Sequence, residues 1–149
     1  RLRAGPGRAQ ARSRLRAARL MTMLDHISLG VRDLSVSGAF YDAALEPLGY
    51  RRVLEKGIGM AYGPGPDRTG MMFWIVGPNA DASASRGSHV AFAATSRGAV
   101  DDFHAAALSA GARDNGAPGL RPEYSENYYG AFVLDPDGHK VEAVCRTEH

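Results

Sequence analysis

The sequence holds a single cysteine, Cys145, among 149 residues. A lone thiol excludes an internal disulfide and a cysteine-rich zinc site, so a bound metal must use histidine and carboxylate ligands. Such cysteine usage is typical of a reducing compartment and predicts a cytoplasmic protein. The sequence also lacks an apolar run near the roughly 20 residues that cross a bilayer, so no membrane partner is expected.

Acidic residues are missing from residues 1–20, which hold seven arginines. The formal net charge of the chain is +2, and without those seven charges it is −5. An arginine-rich, acid-free segment is typical of nucleic-acid contacts or of a transit peptide. We expect instead that residues 1–22 are a disordered extension or an upstream start-site artefact, because Met21 and Met23 stand directly before the first strand-like run. The rest has no basic stripe with interleaved aromatics, so no nucleic-acid partner is expected.

An internal repeat begins at His26 and again at His89. The first copy reads HISLGVRDLSVSGAFYDAALEPLGY and the second reads HVAFAATSRGAVDDFHAAALSAGAR. Each histidine opens a short alternating run, and a phenylalanine follows 14 residues later in both copies, at Phe40 and Phe103. The alternation has the period of a half-buried strand and puts each histidine on a face that it shares with small residues. The repeat therefore predicts two equivalent strands whose histidine faces line a cleft.

A helix and then several short strands are predicted after each of these opening strands. The helices are expected at residues 36–48 and 99–110, with Asp33 or Ser35 and Ser96 as N-caps and Gly49 and Gly111 as stops. Strands are expected at residues 51–55, 59–62, 71–76, 129–134 and 140–145. The last two flank an Asp-Pro-Asp-Gly sequence that predicts a tight turn.

The chain is thus predicted to be one α+β domain over residues 23–146, built from two tandem βαβββ modules. The modules span residues 23–78 and 88–146, and the small-residue stretch 77–88 is the expected linker. The predicted architecture is a cupped mixed β-sheet that forms a cleft, with the helices on the outside. On the last strand, Val141, Ala143 and Cys145 are expected to face the core, which directs Glu142 and Lys140 toward the cleft.

This pattern is similar to the vicinal-oxygen-chelate superfamily of glyoxalases, extradiol dioxygenases and bleomycin-resistance proteins. The motifs that carry the resemblance are LDHISLGVRDL, FYDAALEPLGY and GAFVLDPDGHKVEAV, within residues 23–145. The resemblance implies metal ligands on the first and last strands of each half, and three positions match: His26, His89 and Glu142. Two imidazoles and one carboxylate suit Fe(II), Mn(II), Ni(II) or Zn(II) and leave coordination positions open.

The chain departs from the glyoxalase I pattern at a fourth position. Where that enzyme has a Glu or Gln on the last strand of the first half, this sequence has Met71, Met72, Phe73 and Trp74. The isomerase chemistry uses a carboxylate there as its base, so glyoxalase I activity is not expected. Phe73 and Trp74 alternate, so one is expected in the core and the other on the cleft wall.

A polar and aromatic segment, residues 121–130, precedes the Asp-Pro-Asp-Gly turn. Arg121 is predicted to clamp a substrate carboxylate, and Tyr128 or Tyr129 to donate a hydrogen bond or a proton at the reacting oxygen. The alternative for this segment is packing and turn formation. His104 and His139 fall outside the repeat and are expected to be solvated.

The resemblance implies a metal-dependent enzyme whose small-molecule substrate chelates the ion through adjacent oxygens. An extradiol-type dioxygenase fits the ligand set best, and a lyase, isomerase or thiol transferase fits it almost as well. The alternative is a non-catalytic drug-binding protein of the bleomycin-resistance type. A homodimer is expected, because one pair of modules leaves sheet edges and a cleft open. The sequence leaves open whether the three ligands come from one chain or two.

Overall fold

The computed structural model describes residues 23–65 and 72–148, which form two four-stranded mixed sheets, each with one helix. The first half consists of β1 His26–Gly30, α1 Leu34–Leu45, a 3-10 helix Glu46–Leu48, β2 Arg51–Lys56, β3 Gly59–Gly63 and β4 Met72–Val76. The second half consists of β5 His89–Ala93, α2 Arg97–Ser109, β6 Arg113–Leu120, β7 Tyr129–Leu134 and β8 Lys140–Cys145. The predicted α+β fold of two βαβββ units is confirmed. Residues 1–22, which we interpret as a disordered extension or a start-site artefact, lie outside the described residues, and so does Met71.

The two sheets have the same topology. Their strand orders are β1-β4-β3-β2 and β5-β8-β7-β6. The outer pairs β1 with β4 and β5 with β8 are parallel, whereas the other pairs are antiparallel. His26 pairs with Met72 and His89 with Lys140, so the two histidines occupy equivalent first positions. Within the described ranges, no helix is both long and apolar enough to cross a membrane.

Local sequence signals set the ends of both helices. Asp33 caps α1 by accepting from the backbone N–H groups of Ser35 and Val36, and Ser96 caps α2 by accepting from that of Ala99. Gly49 and Gly111 follow the helical segments with φ angles of 80° and 100°, a region that favours glycine. The first predicted helix ends in a separate 3-10 turn, because Pro47 has no N–H to continue the α-helical pattern.

The strand β6 has no clear signal in the sequence. Its residues RDNGAPGL include Asp, Asn, Gly and Pro, which are depleted in strands. It nevertheless pairs with β7, with register shifts between Asp114 and Gly116 and between Gly116 and Gly119. Pairing with a buried neighbour therefore defines this edge strand, rather than the propensity of its own residues.

A single hydrophobic core joins the two modules. Phe73 of β4 and Phe92 of β5 meet edge to face with ring centroids 5.1 Å apart, and residues of both helices pack into the same cluster. Alternate residues of β8 face this core, as predicted, and are fully buried: Val141, Ala143 and Cys145. The core therefore occupies one face of each sheet and leaves the histidine faces directed away from it.

The Asp-Pro-Asp-Gly turn ties the second module to the first. Asp135 is 3% exposed and accepts the Tyr41 hydroxyl of α1 at 2.7 Å. Asp137 accepts the Arg32 side chain at 2.8 Å and the Ser37 hydroxyl at 2.9 Å. We therefore find that this turn connects the modules as well as β7 and β8.

Neither histidine outside the repeat is simply solvated, contrary to the expectation. His139 is partly buried, with Nε2 2.9 Å from the Gly30 carbonyl oxygen, because the turn folds back on β1. His104 is 12% exposed at its side chain, and its Nε2 lies 2.9 Å from an oxygen of Asp114. Both side chains therefore have structural partners.

The Asp137 carboxyl in this turn should make the unfolding free energy depend on pH in the acid range. Burial raises the pKa of the Asp137 carboxyl, but hydrogen bonds from Arg32 and Ser37 outweigh it and hold this pKa below its usual range. A lowered folded-state pKa stabilises the fold above the unfolded-state pKa, and the stabilisation is lost as the pH falls through the folded-state value. We expect the unfolding free energy, measured in urea, to fall more steeply from about pH 5 to about pH 2 in the wild type than in Asp137→Asn. The exposed Asp81→Asn should keep the wild-type slope, and equal slopes for all three proteins would contradict the prediction.

Candidate functional site

His89 and Glu142 come together on the face of the second sheet that is turned away from the core. The parallel register of β5 and β8 places Ala91 beside Glu142, with His89 two residues away on the same face. His89 Nε2 lies 3.1 Å from Glu142 Oε2. The Glu142 side chain is 1% exposed and that of His89 is 43% exposed. The site therefore combines a buried carboxylate with an imidazole that is open to solvent.

Tyr128 holds the other oxygen of this carboxylate. Its hydroxyl donates a hydrogen bond to Glu142 Oε1. Burial, followed by this hydrogen bond and the negative charge of Glu142, raises the pKa of Tyr128 to about 12. The phenol therefore keeps its proton at neutral pH and remains the donor.

Glu142 Oε2 is buried and has no hydrogen-bond partner among the described residues. His89 Nε2 is within ion-pair distance of it but outside hydrogen-bond geometry. A buried polar atom without a partner is costly, and more so when it carries charge. Two ligand bonds of about 2.1 Å that meet at a coordination angle of about 90° to 109° place the donor atoms about 3.0 to 3.4 Å apart. The chemistry and spacing of this pair therefore fit two ligands of one divalent cation.

His26 lies away from this pair in the same chain. Its side chain is 57% exposed, and its Nδ1 is 2.7 Å from Asp25. Ile27 and Leu29 of β1 pack against the same core as Val90 of β5, so the two histidine faces are directed outward from that core. Among residues 23–65 and 72–148, no three His, Cys, Asp or Glu side chains of one chain are placed to hold a metal ion. The three predicted ligands thus do not converge within a single chain.

The other predicted site residues are divided between the two faces of β7. Tyr129 points to the helix side, where its hydroxyl donates to Asp101 at 2.8 Å and Arg97 lies over its ring. The guanidinium carbon of Arg121 lies 5.8 Å from the ring centroid of Phe132, on the Glu142 side, while Arg121 Nη2 donates to the Ala117 carbonyl at 2.7 Å. The structure therefore places Tyr128 in the site, Arg121 at its edge and Tyr129 outside it.

A cavity of about 320 Å³ opens in front of the His89–Glu142 pair. Its lining side chains are aromatic or charged, namely His89, Tyr124, Tyr128, Phe132, Lys140, Glu142 and Arg146. The sequence predicted no role for Tyr124, Phe132 or Arg146, but it did direct Lys140 toward the cleft. Lys140 Nζ lies 4.4 Å from the ring centroid of Phe132. Strand parity was the available signal. Phe132 is opposite Glu142 in the pairing of β7 with β8, and Lys140 stands two residues before Glu142 on the same face of β8.

The last strand of the first module contains no carboxylate or amide side chain. The strand β4 reads MFWIV. Phe73 is 3% exposed in the core, and Trp74, on the opposite face, packs beside Gly59. The prediction that one of the two rings enters the core is confirmed, whereas the place of Trp74 on the cleft wall stays a prediction. The described part of β4 offers no base of the glyoxalase I kind.

Known proteins share this sequence pattern and fold. The sequence model of the Glyoxalase/Bleomycin resistance protein/Dioxygenase superfamily matches residues 23–143. The chain belongs to this superfamily. A glyoxalase/bleomycin resistance protein from Albidiferax ferrireducens is 36% identical, with a TM-score of 0.73, and the match covers 85% of this chain and 100% of that one.

More distant structures share the fold alone. A fosfomycin resistance protein from Mesorhizobium loti is 18% identical, with a TM-score of 0.60, and the match covers 84% of this chain and 92% of that one. A glyoxalase I mutant from Zea mays is 20% identical, with a TM-score of 0.63 and coverage of 81% and 43%. No curated protein matches the chain at a significant level.

Proposed function

We propose that the protein is a divalent-metal-dependent enzyme acting on a small molecule that binds through two adjacent oxygen atoms. The observation that carries this proposal is the buried Glu142 Oε2, which has no hydrogen-bond partner in the part of the chain that the structure describes and lies 3.1 Å from His89 Nε2. A cation between these atoms gives the buried oxygen Oε2 a partner and so relieves the cost of leaving it unsatisfied. The matching superfamily includes glyoxalases and dioxygenases, which fit this proposal, and also bleomycin resistance proteins, so the proposal rests on the site rather than on family membership.

The third ligand in this proposal is His26 of a second copy. In one chain His26 and the His89–Glu142 pair lie on outward faces of different sheets. A second copy that places its first sheet over the second sheet of this chain brings its His26 to the pair, and twofold symmetry repeats the arrangement. Among the described residues, each of the strands β1 and β5 pairs with only one other strand, so each has one edge without a strand partner. The proposed functional unit is therefore a homodimer with two sites.

Each residue of the site has a distinct part in this proposal. His26, His89 and Glu142 hold the ion and leave coordination positions open, a set that suits Fe(II), Mn(II), Ni(II) or Zn(II). The bound ion supplies stabilisation of negative charge that develops on a substrate oxygen. Tyr128 orients Glu142 through the hydroxyl hydrogen bond, and Phe132 provides an apolar wall beside the ligands.

The proposed ligand set suits one reaction class best, although other classes use it too. Two histidines and one carboxylate with open positions are the set of extradiol-type dioxygenases, and a lyase, another isomerase or a thiol transferase uses it as well. Glyoxalase I chemistry is not favoured, because Met72–Val76 offers no carboxylate. We therefore place an extradiol-type dioxygenase first.

Titration calorimetry of full-length protein, freed of metal, tests the proposal. We expect one ion per chain for at least one of the four metals, and about tenfold weaker binding by Tyr128→Phe, which loses the hydrogen bond that orients Glu142. Tyr129→Phe is the matched control, because its hydroxyl bonds to Asp101 on the other face, and should bind as the wild type does. A wild type that binds none of the four ions would overturn the enzyme proposal in favour of a metal-free drug-binding protein.

A further inference from the structure

The cavity over His89 and Glu142 carries more positive than negative charge. Lys140 and Arg146 line it, and Glu142 is the one carboxylate among its lining residues. The chain without residues 1–20 has a net charge of −5. The cavity is thus a positive patch on a mildly acidic domain, and a concave site of one sign concentrates ligands of the opposite sign.

Among residues 23–65 and 72–148, the side chains of Lys140 and Arg146 make no hydrogen bond that would occupy their N–H donors. Lys140 lies over the Phe132 ring, and the guanidinium carbon of Arg146 lies 4.7 Å from the Tyr128 ring centroid. Within the part of the chain that the structure describes, neither forms an ion pair, whereas cations elsewhere do, as Arg32 does with Asp137. Contact with a ring face positions a cation but does not use the N–H groups of that cation. Lysine has three such donors and arginine has five, so both side chains can still bind a ligand.

We infer that Lys140 and Arg146 bind an oxyanion group of the substrate, a carboxylate or a phosphate. A guanidinium matches both groups with two parallel hydrogen bonds, and an ammonium adds a point charge. Phe132 and Tyr124 then flank the carbon framework, since both line the same cavity. The inference rests on the proposed function for the place of the reacting atoms, beside His89 and Glu142, but oxyanion binding itself needs no metal.

Three monosubstituted benzenes test this inference on the metal-free full-length protein. Benzoate and phenyl phosphate carry the two oxyanions, and benzamide is the neutral analogue of benzoate, so NMR titrations compare charge at nearly constant shape. We expect at least one anion to bind about tenfold more tightly than benzamide, as a charge-assisted contact predicts. The anion that binds more tightly shows whether the site prefers a carboxylate or a phosphate.

Substitutions test whether Lys140 and Arg146 produce the preference for anions over benzamide. The double variant Lys140→Met with Arg146→Gln should bind the anions no better than benzamide, whereas Lys140→Arg, which keeps the charge, should retain the preference. Arg51→Gln, at an exposed arginine of β2, is the control and should behave as the wild type. If the double variant fails to fold by circular dichroism, each single substitution should still lower the preference.

Equal binding of all three compounds by the wild type, or a preference that survives in the folded double variant, would overturn the inference. Metal titration of the same samples separates this outcome from failure of the proposed function. A protein that binds a divalent ion but does not prefer the anions disproves only the oxyanion site. A protein that prefers the anions but binds no ion supports the oxyanion site and disproves the metal enzyme.

Discussion

Replacing Glu142 by Gln should weaken divalent-metal binding by about 100-fold or more while the protein stays folded. Changes to residues that only support a metal ligand cost about 10- to 100-fold, and loss of the anionic ligand itself should cost at least the upper end of that range. The amide has the shape of the carboxylate and can still accept from Tyr128, so the packing around this buried position is preserved. Calorimetric titration with the metal that the wild type binds measures the loss.

His104→Gln is the control for this experiment. His104 of α2 pairs with Asp114 of β6, and neither residue lines the cavity, so the replacement of His104 should leave metal affinity at the wild-type value. Circular dichroism and thermal melts establish that both variants are folded. Equal affinity in Glu142→Gln and the wild type would remove Glu142 from the ligand set and with it the proposed function.

Mixing two defective variants should restore about a quarter of the wild-type metal sites. His26→Ala and Glu142→Ala each lack one ligand in both sites of their own homodimer. In a mixed dimer, one site combines His26 of the Glu142→Ala chain with His89 and Glu142 of the His26→Ala chain and is complete. Half of randomly assorted dimers are mixed and hold one good site of two, which gives about one quarter.

The test uses equal amounts of the two full-length variants, unfolded and refolded together, with metal stoichiometry from calorimetry. Separately refolded samples mixed afterwards without exchange are the control and should bind no more than either variant alone. If the co-refolded sample also gains nothing while the wild type binds one ion per chain, the ligands do not come from two copies. Light scattering that finds a monomer at all concentrations would contradict the same proposal.

The sequence by itself determined the two-module fold, because its signals are local and occur twice. Strand alternation and the repeat place His26 and His89 at equivalent positions, which the parallel pairings confirm. The N-caps Asp33 and Ser96 bond to residues two or three positions away, so short sequence windows contain all that sets them. The core face of β8 follows from a period of two for the same reason.

Contacts between distant segments were decided only by the tertiary structure. The shared core directs the two histidine faces outward, so His26 does not reach Glu142 in its own chain, and no local pattern carries that information. The choice between Tyr128 and Tyr129 depends on which face of β7 meets α2. Likewise Asp135 and Asp137 form a tight turn from sequence alone but join the modules only where α1 lies against them. Such contacts are made by packing between segments far apart in the chain, and periodicity within one segment cannot specify them.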